Sequence, residues 1–218
     1  MKIAFLASRK SIHTVRWVNG ISQQGHEVYL ITMHDVGDKI DDSVKTYELP
    51  FKAPHGYFLN VIKLRNLLST IRPDLLHVHY ASGYGTLGTL SGFHPRLISV
   101  WGSDVYEFPF NNPINRQLIK YNLQTADWVC STSQTMAKYT LEHFPRNAHV
   151  SITPFGVDTE MFCPKSKFRD QNFITIGTIK TLHQNYGIDL LIVSFKRIRQ
   201  ELQMHSPDLA NKLRLLIV

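Results

Sequence analysis

Residues 2–32 read KIAFLASRKSIHTVRWVNGISQQGHEVYLIT. The run Ile3-Ala4-Phe5-Leu6-Ala7 is continuously apolar, as a strand is when both faces of its sheet are covered. Val15, Val18 and Ile21 then recur at helical spacing up to Gly25, a residue that readily ends a helix. Val28-Tyr29-Leu30-Ile31-Thr32 reads as a second strand. Strand, helix, Gly-His-Glu and strand make one βαβ crossover of about 30 residues. That unit predicts an α/β protein with a doubly wound parallel sheet.

The pattern repeats outward from there. Val44 to Pro50 predicts a strand, followed by a loop over Lys52 to Gly56. From Leu59 the residues Leu64, Leu67, Leu68 and Ile71 predict a helix that stops before Pro73, whose ring disfavours a helical residue ahead of it. Leu75-Leu76-His77-Val78-His79 is the next strand. Its exit, Tyr80 to Gly85, is loop-like and turns helical through about Ser91. Pro95 to Trp101 predicts a strand ending in Gly102-Ser103-Asp104. A loop from Pro109 to Pro113 leads to a helix over Ile114 to Gln124. Ala126 to Cys130 is a strand, and Ser133 caps a helix over Gln134 to His143. His149 to Thr153 is the last strand of this series. Residues 159–171 are polar and read as a linker. Beyond them Phe173 to Ile176 predicts a strand, Gly177 a turn, Ile188 to Leu202 a helix and Leu213 to Val218 a strand. The expected domains are therefore 1–158, a linker over 159–171, and the start of a second domain over 172–218. A parallel strand at the chain's end without a covering helix leaves an apolar face open, so truncation is expected.

The bulk numbers agree with a folded globular protein. The 218 residues are 43% hydrophobic and 19% charged, which excludes a largely disordered chain. Lys and Arg number 24 against 17 Asp and Glu, a formal charge of +7 that suits phosphates, anionic lipids or nucleic acid without choosing among them. No nucleic-acid motif accompanies that charge. Cys130 and Cys163 lie far apart in no metal-ligand spacing, and Cys130 ends an apolar run, as a buried free thiol does. Ile3 to Ala7 is too short for a signal peptide, and no run approaches the roughly 20 apolar residues of a membrane span. The expectation is a soluble cytoplasmic protein, with peripheral contact at the inner face of the membrane as an added option.

Several stretches, in order, resemble the family-4-like glycosyltransferases of the two-Rossmann GT-B architecture. They are Lys2 to Ala7, Gly25-His26-Glu27-Val28, Arg72-Pro73-Asp74-Leu75-Leu76-His77-Val78-His79, Trp101-Gly102-Ser103-Asp104, and Thr153-Pro154-Phe155-Gly156-Val157-Asp158 through Phe162-Cys163-Pro164. The last is similar to the family's hinge signature, with Phe155 where the family has Asn. The resemblance implies a Rossmann-like first domain that holds the acceptor and a second that holds a nucleotide-diphosphate sugar. It also implies transfer in the cleft between them, usually with retention of anomeric configuration. No cofactor beyond the sugar nucleotide is expected. No Asp-X-Asp pair occurs in the chain, which agrees with a metal-independent reaction.

In an open parallel sheet, ligands collect beyond the carboxyl ends of the strands where strand order reverses. Ser8 to Thr14 follows the first strand, and relatives often carry a Gly-Gly pair there. This chain offers Arg9, Lys10, His13 and Arg16 near a helix N-terminus instead, as anion-binding groups or as solvated charges. His77 and His79 point to one face of their strand. His77 reads as structural, while His79 and Tyr80 lie at the strand's carboxyl end as acceptor-site candidates. Trp101 stands where relatives often have His; it can stack on a sugar or simply pack, but cannot act as a base at neutral pH. Gly102 admits close backbone approach, and with Ser103 completes the acceptor-binding candidates Arg16, His79, Tyr80, Trp101, Gly102 and Ser103. Asp104 and His13 are the catalytic candidates, orienting acceptor hydroxyls, with Asp104 alternatively a turn residue. In the second domain, Gly177, Thr178 and Lys180 are the donor-binding candidates. Relatives have a Gly-Arg pair and then Lys-Gly in this region; here Thr178 and Tyr186-Gly187 stand in those places, and Lys180 is the remaining cation, either for the diphosphate or as a plain surface lysine. Lys63, Arg65, Arg116, Lys120 and Lys138 on helices of the first domain could hold an anionic bilayer if they share a face. The expected function is a hexosyltransferase acting on a glycan or lipid-linked acceptor of the envelope-polysaccharide type, inactive as residues 1–218 alone. Alternatives are a non-catalytic transferase-like binding module and a sugar-nucleotide epimerase of the same architecture.

Overall fold

The computed structural model describes residues 1–34, 39–146, 149–164 and 172–218, which form two compact units, Met1–Gly156 and Val157–Val218. In the first, β1 (Lys2–Leu6), α1 (Ile12–Gln23) and β2 (Glu27–Thr32) form the opening βαβ unit, followed by β3 (Lys45–Glu48). Next come α2 (Gly56–Leu59), α3 (Val61–Ile71), β4 (Leu75–His79), α4 (Gly83–Ser91) and β5 (Arg96–Val100). The unit closes with α5 (Ser103–Tyr106), α6 (Pro113–Thr125), β6 (Trp128–Ser131), α7 (Gln134–His143) and β7 (Val150–Ile152). The seven strands are parallel, in the order β3-β2-β1-β4-β5-β6-β7. The chain winds outward from β1 to β3, then returns to β4 on the other side. The order therefore reverses between β1 and β4, and a crevice opens beyond their carboxyl ends.

Alternation along the strands explains their continuous apolar sequence. Ala4, Leu6, Tyr29 and Ile31 face one core, shared with α3, α4, α6 and α7. Ile3, Phe5, Ala7, Val28 and Leu30 face the other, against Val15 and Val18 of α1. With helices on both faces, the central strands are apolar at most positions, and polar ones such as His77 and Ser99 bond each other. Cys130 is buried as expected, and Ser133 caps α7 by accepting from the Met136 amide at 3.1 Å.

The second unit holds β8 (Ile174–Thr178), α8 (Ile188–His205), α9 (Pro207–Lys212) and β9 (Leu213–Ile217), with β8 and β9 paired in parallel. Gly177 corrects the sequence expectation of a turn: it lies inside β8, opposite Leu216. Continuous pairing with β9 carries the strand through Thr178. Three short helices, α2, α5 and α9, occupy stretches that carry no helical periodicity. Part of the expected linker, 165–171, falls outside the described residues. No helix among the described residues is long and apolar enough to cross a membrane.

Candidate functional site

The carboxyl ends of β1, β4, β5 and β7 gather a set of rings around Trp101. His79 lies 4.4 Å from the indole, centroid to centroid, Phe155 5.2 Å, Tyr80 5.4 Å and His13 5.8 Å. Each comes from the loop or strand end that the topology delivers to this edge. His13 sits in the first turn of α1 and stacks face to face on Phe155 at 3.6 Å and 9°. Arg16, one turn on, reaches the Gly156 carbonyl at 3.5 Å. A cleft of about 300 Å³ opens here, lined by His13, Arg16, Trp17, Gln24, Pro154 and Phe155.

Beneath the rings lies a buried imidazole pair. His77 bonds Ser99 through Nε2 at 2.8 Å, the structural part expected of it. His79 meets the Thr14 hydroxyl through Nδ1 at 3.0 Å, while its Nε2 is buried without a partner among the described residues. The two rings are 4.7 Å apart. Burial pushes the His77 pKa down to about 3, and burial followed by the neighbouring His77 and His13 pushes that of His79 well below the ordinary value. Both are neutral at physiological pH. His79 is 1% exposed, so it supports Trp101 from below instead of facing the cleft.

Asp104 is also interior. At 1% exposure, its Oδ2 accepts from the Ala81 amide at 2.8 Å, and its Oδ1 from the Trp101 and Gly102 amides at 3.1 and 2.8 Å. Burial raises its pKa, and those amides oppose the rise. In this conformation the carboxylate ties the β4 exit to the β5 exit and offers no open oxygen to an acceptor. Gly102 takes a φ of 140°, which only glycine adopts readily, and nothing lies within 4 Å of where its Cβ would stand. The surface above it is open. Ser103 is exposed, and Tyr80 holds a φ of 73°.

The structure thus brings His13, Arg16, Tyr80, Trp101, Gly102 and Ser103 to one edge, with His79 and Asp104 underneath. Sequence reasoning missed Phe155 and Trp17 as members. Trp17 is four residues after His13 and so shares its helix face, a spacing visible in the sequence. The chemical content of this edge is two aromatic platforms, a guanidinium, and one accessible imidazole. Burial, and after it the Arg16 charge, hold the His13 pKa below the ordinary value, so His13 is a neutral hydrogen-bonding group at pH 7. Its Nδ1 has no partner among the described residues. Phe155→Ala removes the stacked ring, so it is expected to raise the His13 pKa toward that of an exposed imidazole. An NMR titration of the His13 ring reads this directly, and an unmoved pKa would contradict the arrangement.

A larger hollow of about 680 Å³ lies at the opposite, amino end of β4 and β5, lined by Arg65, Arg72, Ser91 and His94. It has greater volume, but no convergent rings and none of the candidate residues. In the second unit, taken by itself, Gly177 and Thr178 lie in β8, and the Lys180 ammonium stands 4.9 Å from the Tyr186 ring centre. Among the described residues no group of three or more His, Cys, Asp or Glu is placed to hold a metal ion.

Comparison with known proteins adds to this geometry. Residues 2–133 match the family model described as glycosyl transferase 4-like. The phosphatidylinositol N-acetylglucosaminyltransferase gpi3 subunit of Schizosaccharomyces pombe is 27% identical over 194 residues, covering 80% of this chain and 41% of its own length. Sucrose-phosphate synthase from Thermosynechococcus elongatus superposes with a TM-score of 0.70 at 15% identity, over 98% of this chain and 69% of that one. HepE from Anabaena, in complex with UDP, gives 0.61 at 14% identity, over 100% of this chain and 70% of that one. At these identities the two structures speak for the fold.

Proposed function

The chain belongs to the glycosyl transferase 4-like family, and from that premise we propose that it serves to move a hexose from a nucleotide-diphosphate donor to a glycan or lipid-linked acceptor. The observation that carries the reading is the cluster of rings at the β1–β4 switch point, with the cleft lined by His13, Arg16, Trp17 and Phe155 beside it, because aromatic faces beside hydrogen-bonding side chains are what a sugar requires. We assign the acceptor to this first unit. Trp101 and Phe155 provide stacking surfaces, neutral His13 bonds an acceptor hydroxyl, and Arg16 holds an anionic group of the acceptor. Asp104 and His79 are positioning residues that fix Trp101 and the loop behind it.

We assign the donor diphosphate to the second unit, where Gly177 and Thr178 bring backbone close and Lys180 offers a cation. Charge develops on the departing diphosphate, so a cation there acts on rate. With no Asp-X-Asp pair in the sequence, we give that task to the protein's own cations. Retention at the anomeric centre, an acceptor of the envelope-polysaccharide type, and action at the inner face of the membrane complete the proposal. The UDP complex of HepE and the name of the yeast relative support a nucleotide-sugar donor and a lipid acceptor respectively. The chain spans 41% of that relative's length, so we assign binding to residues 1–218 and turnover to a two-domain protein that carries them.

The test is transfer of labelled sugar from a panel of UDP- and GDP-sugars to lipid extracts and glycans, using the two-domain protein. Trp101→Ala and Arg16→Ala are each expected to lower kcat/KM by roughly 10–100-fold, the range set by losing one stacking or charged contact. Binding without transfer would leave a transferase-like binding module. An isomerised donor without acceptor would make the protein an epimerase.

A further inference from the structure

Thr14, in the first turn of α1, is fully buried, and its hydroxyl lies 3.0 Å from His79 Nδ1 at the end of β4. The hydroxyl has no second partner among the described residues, and neither has His79 Nε2, which is buried as well. The direction of the Thr14–His79 bond decides which imidazole nitrogen carries the proton, because a neutral ring has one N–H and one lone pair. If Nδ1–H donated to Thr14, the hydrogen of the threonine would be buried without an acceptor and the Nε2 lone pair without a donor. If the hydroxyl donates to Nδ1, both of these partners are satisfied and the Nε2–H alone is left over. A buried polar group without a partner is costly, so the arrangement with the fewer of them is favoured.

The surroundings of the ring point the same way. His79 is enclosed by Trp101 at 4.4 Å, His77 at 4.7 Å, Phe5 at 5.4 Å and Trp17 at 6.4 Å, centroid to centroid. Aromatic faces carry negative charge, so they attract an N–H and repel a lone pair. Trp101 is the nearest of the four, tilted by 42° to the imidazole. Burial keeps His79 neutral, which this bond requires, since an imidazolium has no lone pair to offer the hydroxyl.

We propose that Thr14 is a positioning residue of the acceptor site: its hydroxyl donates to His79 Nδ1, fixes His79 as the Nε2–H tautomer, and so holds the imidazole in the ring cage beneath Trp101. His13 is the residue before Thr14, and Trp101 rests on His79. One buried hydroxyl therefore ties together the two rings that stand 5.8 Å apart at the cleft. A loosened Thr14 would let the first turn of α1 and the β5 exit move separately, although Thr14 itself touches no acceptor. This deepens the acceptor-site reading and rests on it for the effect on transfer, whereas the tautomer stands on the geometry alone.

The test is long-range 1H–15N correlation NMR of the 15N-labelled protein at neutral pH, which tells a protonated ring nitrogen from a bare one. His79 is expected to show Nε2 protonated and Nδ1 bare. Thr14→Val, which keeps the branched shape and removes the hydroxyl, should turn His79 into a mixture of tautomers and move the Trp101 indole resonance. Thr14→Ser should restore both signals. In the two-domain protein Thr14→Val is expected to lower kcat/KM by about 5-fold, the factor that goes with loss of one hydrogen bond, and Thr14→Ser to recover it. An Nδ1-protonated His79 in the wild-type protein overturns the proposal, and that reading needs no variant to fold. So does a Trp101 signal or a transfer rate that Thr14→Val leaves unchanged, or that Thr14→Ser fails to restore. The tautomer and the Trp101 signal need no turnover, so failure of the transferase reading and failure of this tie are separate results.

Discussion

Replacing Asp104 with alanine is expected to destabilise the first unit by about 4 kcal/mol, a fall in Tm of roughly 10 °C. The carboxylate accepts three backbone amides at 2.8–3.1 Å inside the protein, and alanine leaves all three without a partner. An orphaned buried donor costs about 1–3 kcal/mol, and charge-assisted bonds stand at the upper end. Asp104→Asn should fall between: its oxygen can keep Trp101 and Gly102, but its NH2 then faces the Ala81 amide. Denaturant titration of the three proteins checks the order. A cost below about 1 kcal/mol for alanine would mean that the amides find other partners. A base toward acceptor would give a different pattern, with stability held and activity lost.

Mild acid is also expected to destabilise the first unit. His77 and His79 are neutral in the fold, with the His77 pKa near 3 and that of His79 also well below the ordinary 6.5. An unfolded imidazole takes up a proton near pH 6.5, while the folded ones resist it. Depressed histidine pKa values therefore stabilise the fold above that pH and the benefit is lost as pH falls. A depressed histidine costs about 1.4 kcal/mol per pH unit, so His77 removes on the order of 2 kcal/mol between about pH 6.5 and 4.5, and His79 adds a loss of the same sign. Denaturant midpoints across that range read the loss. In the folded protein the ring protons of His77 should also show no titration above about pH 5, and those of His79 should titrate below the ordinary range. Ordinary titration of either ring near pH 6.5 would refute the burial argument.

The strands were legible because a sheet covered on both faces writes continuous apolar runs, as Ile3 to Ala7 and Leu75 to His79 show. The longer helices were legible through spacing, as in α3 and α7. α2 and α5 were not, since four residues make one turn and carry no period. Gly177 misled for a related reason: glycine marks turns, yet here pairing with β9 overrode local preference. At the site, His13, Arg16, Tyr80 and Trp101 could be placed because residues after parallel strands collect at one edge. The depth of each side chain could not be read. Asp104 contacts Trp101 and Gly102 locally, as a turn residue does, but its bond to Ala81 joins two strand exits and exists only in three dimensions. Phe155 lies in the segment that resembles the hinge signature, yet its stacking on His13 joins residues 142 positions apart in the sequence.

The most direct test of the account is to follow the ring protons of His13 and His94 by NMR while acceptor-type glycans, with and without a lipid tail, are added. The two histidines mark opposite ends of the sheet, His13 at the ring-lined cleft and His94 at the larger hollow. The account predicts saturable shifts at His13, abolished by Trp101→Ala, with His94 unmoved. Shifts at His94 with His13 silent would contradict it and move the binding site to the other end of the fold.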